Sequence, residues 1–223
     1  MTPEFPKPAV TVDVVSLTLR GDDLQVLLIK RDIAPYRGRW AIPGGFVHID
    51  ESLENAARRE LSAETGVSDV YLEQLFTFGD PARDPRGRVI SVAYIALLPV
   101  PLAVRSGSDA RAARWWPIKS LPALAFDHTR ILQVALTRLR YKIEYSAVGF
   151  RLLPETFTLS ELQRAYEIVL DELLDKRNFR RRIIQAEVIE PVDGVRSGEG
   201  RPARLYRFRA DAVAEVKTRR LFP

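Results

Sequence analysis

The chain has 223 residues, of which 46% are hydrophobic and 28% are charged, as is usual for a folded globular protein of one or two domains. It has no cysteine, which excludes disulfides and thiolate metal sites, and its two histidines are too few for a histidine-rich metal site. No apolar run reaches the roughly 18 residues that a membrane span needs, so we expect no membrane partner. The absence of cysteine permits a reducing compartment without proving one, and the cytoplasm is the expected location.

The first part of the chain predicts strands and two helices. Residues 1–8 hold three prolines and no apolar signal-peptide core, and we expect a flexible arm. Ser52 or Asp50 is placed to cap a helix that runs to about residue 65, where Gly66 can end it, and Asp127 can cap a helix through about residue 145. Turn residues separate the predicted strands, which are residues 10–19, 24–30, 40–42, 70–78, 89–98 and 113–116.

The character of the sequence changes near residues 145–152. Thr158 and Glu161 have the spacing of a capping box, which predicts a helix through about residue 170. Asp175 can cap a second helix over residues 176–186, and two strands are expected at 187–192 and 203–209. We therefore predict one domain over residues 9–146 and a second over residues 147–223.

A spaced set of residues between Gly45 and residue 67 has a pattern that carries phosphate chemistry. Gly45 is followed after five residues by Glu51, and after seven more by Arg59-Glu60, with Glu64 one helical turn further. Residues 60 and 64 share one helix face, as does position 63, and carboxylates together can hold Mg²⁺. The pattern resembles the Nudix box, G-x5-E-x7-R-E-U-x-E-E-x-G-U, in which U is a bulky aliphatic residue. The resemblance implies an ion pair between Glu51 and Arg59.

One position departs from the box, because Ala63 stands where the resemblance calls for a glutamate that ligates the catalytic metal. We therefore expect no catalytic residues and treat the box as vestigial. No cofactor is expected to be required. Mg²⁺ is expected to bind weakly or not at all at Glu60 and Glu64. Where Mg²⁺ does bind, it is expected to bind together with ADP-ribose.

Residues around the box are candidates for contacts with a phosphate-bearing ligand. The glycines can let the backbone approach phosphate, although they could equally form a simple turn, and the arginines could equally be solvated loop charges. His48 is expected to be incidental, and His128 is expected to be structural. The predicted ligand-binding residues are Arg37, Arg39, Gly44, Gly45, Glu60 and Glu64.

The C-terminal part carries the excess positive charge. Residues 176–209 hold ten Lys and Arg against four Asp and Glu, in a chain whose net charge is +5. The order helix, helix, strand, loop, strand is that of a winged helix, whose second helix would place basic residues in the DNA major groove and pack Phe179, Ile183 and Ile184 inward. A solvated basic surface is the alternative. The predicted DNA-binding residues are Lys176, Arg177, Asn178, Arg180, Arg181, Arg182, Arg201 and Arg204, with residues 196–201 as the wing tip.

Longer segments resemble the NrtR family of Nudix-related transcriptional regulators. They are YKIEY at 141–145, LPETFTLSELQ at 153–163, DKRNFRR at 175–181, RPARLY at 201–206 and FGDPARDPRGR at 78–88. The resemblance implies a Nudix α/β/α sandwich with a mixed sheet followed by a winged helix-turn-helix domain, in the α+β and α/β classes. It also implies a homodimeric repressor of NAD-metabolism genes that binds double-stranded operator DNA and releases it on binding ADP-ribose or a related nucleotide. Some relatives regulate sugar catabolism instead.

Three other functions fit parts of the sequence. An active Nudix ADP-ribose pyrophosphatase would use the second domain for dimerisation or substrate binding, and Ala63 argues against it. An enzyme that also regulates transcription is the second. An RNA-processing Nudix protein is the third, but the RNA major groove is too narrow for a helix to read.

Overall fold

The computed structural model describes residues 7–66, 70–99, 110–196, 202–209 and 212. The chain forms two compact units. The first comprises residues 1–17, 25–97 and 102–135, and the second comprises residues 18–24, 98–101 and 136–223. The limits of 9–146 and 147–223 expected from the sequence remain a prediction. Within the described ranges, no helix combines the length and the apolarity needed to cross a membrane.

A seven-stranded sheet makes up most of the first unit. Its strands are β1 (Ala9–Arg20), β2 (Asp23–Arg31), β3 (Trp40–Ala41), β4 (Gly44–Phe46), β5 (Tyr71–Phe78), β6 (Val89–Leu98) and β7 (Ala110–Pro117). The main order is β3-β2-β1-β6-β5, while β4 pairs with β1 and β7 pairs with β2. Eight consecutive residues of β1 are buried, because a central strand is covered on both faces. The predicted strands are all present, and β4 was not predicted.

Helix α1 (Leu53–Thr65) carries the box and begins and ends at the residues that the sequence indicated. Ser52 is the N-cap and accepts a hydrogen bond from the Asn55 amide, and Gly66 ends the helix with a left-handed φ of 73°. Ala56, Ala57 and Leu61 face the core and are almost completely buried. The opposite face is therefore left for charged residues. Helix α2 (His128–Tyr145) follows β7 after a short 3₁₀ turn, as expected.

The second unit contains the helix-turn-helix and a small sheet. Its elements are a 3₁₀ segment (Ala147–Leu152), β8 (Thr156–Phe157), α3 (Leu159–Leu170), α4 (Lys176–Gln185), β9 (Ile189–Arg196) and β10 (Ala203–Phe208). The three strands are antiparallel in the order β8-β10-β9. Thr158 and Glu161 form the predicted capping box, and Asp175 caps α4 as predicted.

Two expectations for this unit were wrong in detail. Phe179 and Ile183 are buried, but Ile184 is 55% exposed because it lies about 100° around α4 from Ile183. The strand expected at 187–192 continues to Arg196, because Arg196 pairs with Ala203 across the small sheet. Arg196 is therefore the last residue of a strand, and residues 197–201 of the expected wing tip lie outside the described residues.

Candidate nucleotide site and nucleic-acid interface

The first half of the box is fixed by a two-pronged ion pair. Arg59 donates from Nη2 to Glu51 Oε1 at 2.6 Å and from Nε to Glu51 Oε2 at 3.1 Å. Glu51 also accepts the His48 amide at 2.8 Å, and Arg59 reaches the Phe46 carbonyl at 3.1 Å. The hydrogen bonds from Arg59 and then from His48 lower the pKa of Glu51 to about 2, so its carboxylate stays ionised. The predicted Glu51–Arg59 pair is confirmed, and it ties the loop after β4 to α1.

Gly45, the first residue of the box, and Gly44 before it both lie in close contact with neighbouring atoms. A Cβ on Gly45 would overlap the Glu60 carboxylate, which Arg59 Nη1 also contacts. A Cβ on Gly44 would overlap the Val12 carbonyl on the neighbouring strand. The structure therefore places Gly45 against Glu60, while the contacts of Gly44, Gly45 and Glu60 with a ligand remain predictions.

The described residues do not assemble a magnesium site. Ala63 is exposed on α1 and offers no oxygen ligand, and the Glu60 carboxylate is only 16% exposed and is paired with Arg59. The side chain of Glu64 lies outside the described residues. Among the residues described, no three His, Cys, Asp or Glu side chains lie close enough to hold a metal ion.

A buried polar cluster lies beneath the glycines and was not predicted. Arg83, whose side chain is 4% exposed, donates to Asp127 at 2.8 and 3.1 Å and lies 3.6 Å from Asp13. Asp13 also accepts from the Ser91 hydroxyl, and His128 Nε2 lies 3.6 Å away. Burial lowers the pKa of His128. The one sequence signal was a charged residue, Asp13, in the middle of an apolar strand.

The neutral form of His128 has a defined tautomer. Its Nδ1 accepts the Ile42 amide at 2.9 Å, so the proton of the neutral ring is on Nε2 and faces Asp13. The interpretation of His128 as structural agrees with this geometry, since the imidazole joins the first residue of α2 to β1 and to the residue after β3.

Three aromatic rings and three arginines form what we call the arginine–aromatic cluster. Its members are Tyr36, Phe46, Phe126, Arg31, Arg39 and Arg86. Its aromatic residues Tyr36 and Phe46 are 37% and 46% exposed. Tyr36 and Phe126 have positive φ values of 64° and 51°, a strained conformation for bulky side chains that is often found at ligand sites. The cation–ring distances are 4.9 Å for Arg31 over Phe126, 5.8 Å for Arg39 over Tyr36, and 5.1 and 5.7 Å for Arg86 over Phe46 and Phe126.

The predicted arginines of the ligand site have different surroundings. Arg39 belongs to the arginine–aromatic cluster, whereas Arg37 is 64% exposed and pairs with Asp32 at 3.4 Å. Arg86 was not singled out from the sequence. It forms a two-pronged pair with Asp84, which lowers the pKa of that carboxyl. The ligand-contact roles of all these residues remain predictions.

The predicted DNA-reading helix presents its first residues to solvent. Lys176 and Arg177 are exposed, while Phe179 and Ile183 anchor the other face of α4 in the core. Arg180 donates to the Ser160 hydroxyl at 3.1 Å, and Arg181 donates to the Asn178 side chain at 2.8 Å. The remaining predicted position on this helix, Arg182, is half-buried.

The basic residues of the hairpin are also partly engaged. Arg196 contacts Glu161 of the capping box, and Arg207 pairs with Glu190 on the neighbouring strand. Arg204 is exposed on β10, and Arg201 lies outside the described residues. Among the predicted DNA contacts that the structure describes, Lys176, Arg177 and Arg181 on α4 and Arg204 on β10 are exposed.

Comparisons with known proteins match both units. Residues 7–135 match the model of the NUDIX domain, and residues 149–208 match that of the NrtR DNA-binding winged helix domain. The ADPR responsive transcriptional repressor NtrR of Acinetobacter baylyi is 40% identical over 92% of this chain and 84% of its own length. The ADP-ribose pyrophosphatase of Methanocaldococcus jannaschii is 40% identical over 56% of this chain and 72% of its own length.

Solved structures also match this chain, both over most of its length and over the Nudix domain alone. Shewanella oneidensis NrtR complexed with a 27mer DNA superposes with a TM-score of 0.80 at 38% identity, over 92% of this chain and 96% of that one. The NUDIX domain of the same protein complexed with ADP ribose superposes with a TM-score of 0.56 at 38% identity, over 60% of this chain and 90% of that one.

Proposed function

Because this chain belongs to the NrtR family, in which a Nudix domain precedes a DNA-binding winged helix, we propose that it is a transcriptional repressor of NAD-metabolism genes. A homodimer binds double-stranded operator DNA through the winged helices. ADP-ribose or a related nucleotide binds the Nudix domain and opposes DNA binding. The protein acts in the cytoplasm, where both ligands are present, and needs no resident cofactor.

The observation that carries this proposal is the start of α4. Lys176 and Arg177 are exposed at the first turn of a helix whose other face is anchored by Phe179 and Ile183. A recognition helix contacts base edges with its N-terminal residues, which supports Arg177 as a base contact and Lys176 as a phosphate contact. Arg204 on β10 is a second phosphate contact in the same unit.

Capture of genomic DNA tests the proposal directly. The full-length protein is mixed with sheared genomic DNA of its own organism, with and without ADP-ribose, and bound fragments are sequenced. Enrichment of particular promoter fragments that ADP-ribose releases supports the repressor. If all fragments are captured equally, and no nucleotide changes that capture, the proposal is overturned.

Variants separate base reading from phosphate binding in a mobility-shift titration on a captured fragment. Arg177→Ala should weaken specific binding by about 1–3 kcal/mol and relax the sequence preference, whereas Arg204→Ala should weaken all sequences alike. Arg58→Ala, which removes a half-exposed arginine from α1, is the matched control and should change neither. Equal losses for Arg58→Ala and Arg177→Ala would contradict the assignment of α4.

The link between the two ligands must be reciprocal. If ADP-ribose lowers the affinity for DNA by some factor, bound DNA lowers the affinity for ADP-ribose by the same factor. Calorimetry with ADP-ribose in the absence and presence of saturating operator DNA measures this directly. Equal affinities in the two titrations would remove ADP-ribose as the effector.

A second candidate function is hydrolysis of ADP-ribose, alone or combined with regulation. It is favoured by the 40% identity to an ADP-ribose pyrophosphatase and by the intact Glu51–Arg59 pair next to Glu60. Ala63 and the pairing of Glu60 with Arg59 argue against it, and we expect turnover that is slow or absent. Mg²⁺-dependent turnover of about 1–10 s⁻¹ on ADP-ribose would establish the enzyme.

A further inference from the structure

We propose that the arginine–aromatic cluster is the anion-binding part of the nucleotide site, and that it makes nucleotide binding independent of a divalent cation. This inference rests on the proposed function in one respect, namely that the Nudix domain binds a nucleoside diphosphate sugar. It adds which side chains hold the pyrophosphate and which ion is not needed.

The charge balance of the box leaves a role for such a cluster. An anionic pyrophosphate beside acidic side chains requires positive charge, which bound Mg²⁺ can supply where carboxylates hold it. Here Ala63 offers no ligand, and the Glu60 carboxylate is already paired with Arg59. Arginine side chains can supply the positive charge instead.

Arg86 has the geometry for this role. Its Nε and Nη2 donate to the nearly buried Asp84 carboxylate at distances of 2.7 to 3.2 Å, so the plane of the guanidinium is fixed. Its Nη1 has no hydrogen-bond partner in the described part of the chain, and the side chain is 37% exposed. A guanidinium held on one edge and open on the other can donate charge-assisted hydrogen bonds to a phosphate oxygen.

The rings place this guanidinium next to the box. Arg86 lies against Phe46, and Phe46 directly follows Gly45 and has its carbonyl bound to Arg59. The same guanidinium lies over Phe126, and Arg31 lies over that ring as well. Arginine suits such a stacked, planar position better than lysine. Two of the three arginines therefore converge on one ring.

Calorimetry with ADP-ribose on the full-length protein tests both parts of the proposal. The titration is run in buffer with Mg²⁺ and in buffer with EDTA, for the wild type and for Arg86→Gln. The wild-type Kd should agree within about twofold between the two buffers, and Arg86→Gln should bind at least about tenfold more weakly, because a hydrogen bond to a charged group is lost.

The matched control is Arg58→Gln, because Arg58 is also a half-exposed arginine paired with a carboxylate, in this case Glu54 on α1. It should bind ADP-ribose as the wild type does. The melting temperature without ligand checks that each variant is folded. If Arg86→Gln does not fold, Arg39→Gln removes an exposed arginine of the same cluster and is expected to weaken binding in the same direction.

The outcomes separate this inference from the proposed function. Wild-type binding that EDTA abolishes, or an Arg86→Gln variant that binds as well as Arg58→Gln, would overturn the inference and leave the repressor proposal intact. Nucleotide binding as expected here, with DNA affinity that ADP-ribose does not change, would overturn the proposed regulation and leave the inference intact. Absence of wild-type binding in both buffers would overturn the inference and remove ADP-ribose as the effector, whereas the capture of operator DNA would still decide the repressor proposal.

Discussion

Replacing Arg83 by methionine should destabilise the first unit strongly. The side chain of Arg83 is 4% exposed, and it pairs with Asp127 and faces Asp13, whose side chains are 20% and 9% exposed. Removing one partner of a buried pair leaves desolvated carboxylates, which typically costs about 3–5 kcal/mol. Methionine fills a similar volume, so the loss reports the missing charge and its hydrogen bonds rather than a cavity.

Urea unfolding followed by circular dichroism measures this loss. Arg88→Met is the control, because Arg88 is exposed in the same loop and donates one hydrogen bond to the Gly79 carbonyl. We expect the control to lose less than about 1 kcal/mol. Adding Asp127→Asn to Arg83→Met should restore part of the lost stability, since one uncompensated carboxylate is then removed. A loss below about 1 kcal/mol for Arg83→Met, with an unchanged m-value, would refute the role of the buried cluster.

Three further predictions follow from single contacts. Burial lowers the pKa of His128, so the contribution of this residue to stability is complete above the unfolded pKa of about 6.5 and is lost as the pH falls towards the folded pKa. The free energy of unfolding should therefore decline below about pH 6.5, by up to about 1.4 kcal/mol per pH unit. The His128→Asn variant should lack this decline. Gly44→Ala should lower the free energy of unfolding in urea by about 1–3 kcal/mol, because a backbone carbonyl blocks the new methyl group. Gly45→Ala should lower it by less than about 1 kcal/mol, because the flexible end of Glu60 can move. Equal losses for the two variants would contradict this geometry. Thr158→Ala should remove the capping box of α3 and lower the unfolding free energy by about 0.5–2 kcal/mol, and an unchanged value would show that the cap is dispensable.

The degenerate box separates two tasks that a hydrolase combines. The Glu51–Arg59 pair and the closely packed glycines fix the shape of the loop that is proposed to bind the pyrophosphate. Ala63 removes part of the metal chemistry that would cleave the ligand. A site that binds without cleaving suits a sensor, because the effector must persist while it shifts the equilibrium between DNA-bound and free protein.

The sequence alone determined the features that depend on short distances along the chain. Ser52 and Gly66 delimit α1, and Thr158 with Glu161 starts α3, because caps act within one helical turn of the residue that provides them. The positions of the box and of the basic helix and hairpin gave the order of the two domains, and the resemblance to one family over almost the whole chain agreed with it. The Glu51–Arg59 pair was also predicted, but from the resemblance to the Nudix box and not from the spacing alone.

Only the tertiary structure decided which distant residues share a site. Asp13, Arg83 and His128 come from a strand, a loop and a helix start, and no periodicity in the sequence relates them. Likewise, nothing in the sequence distinguished Arg86 from the other arginines, and only the fold shows that it lies over Phe46 and Phe126. Helix geometry fixes neighbours three and four residues apart, whereas contacts between separate elements depend on how the whole core packs. The box can therefore be recognised from the sequence, whereas the positions of the charged residues around it depend on how the core packs.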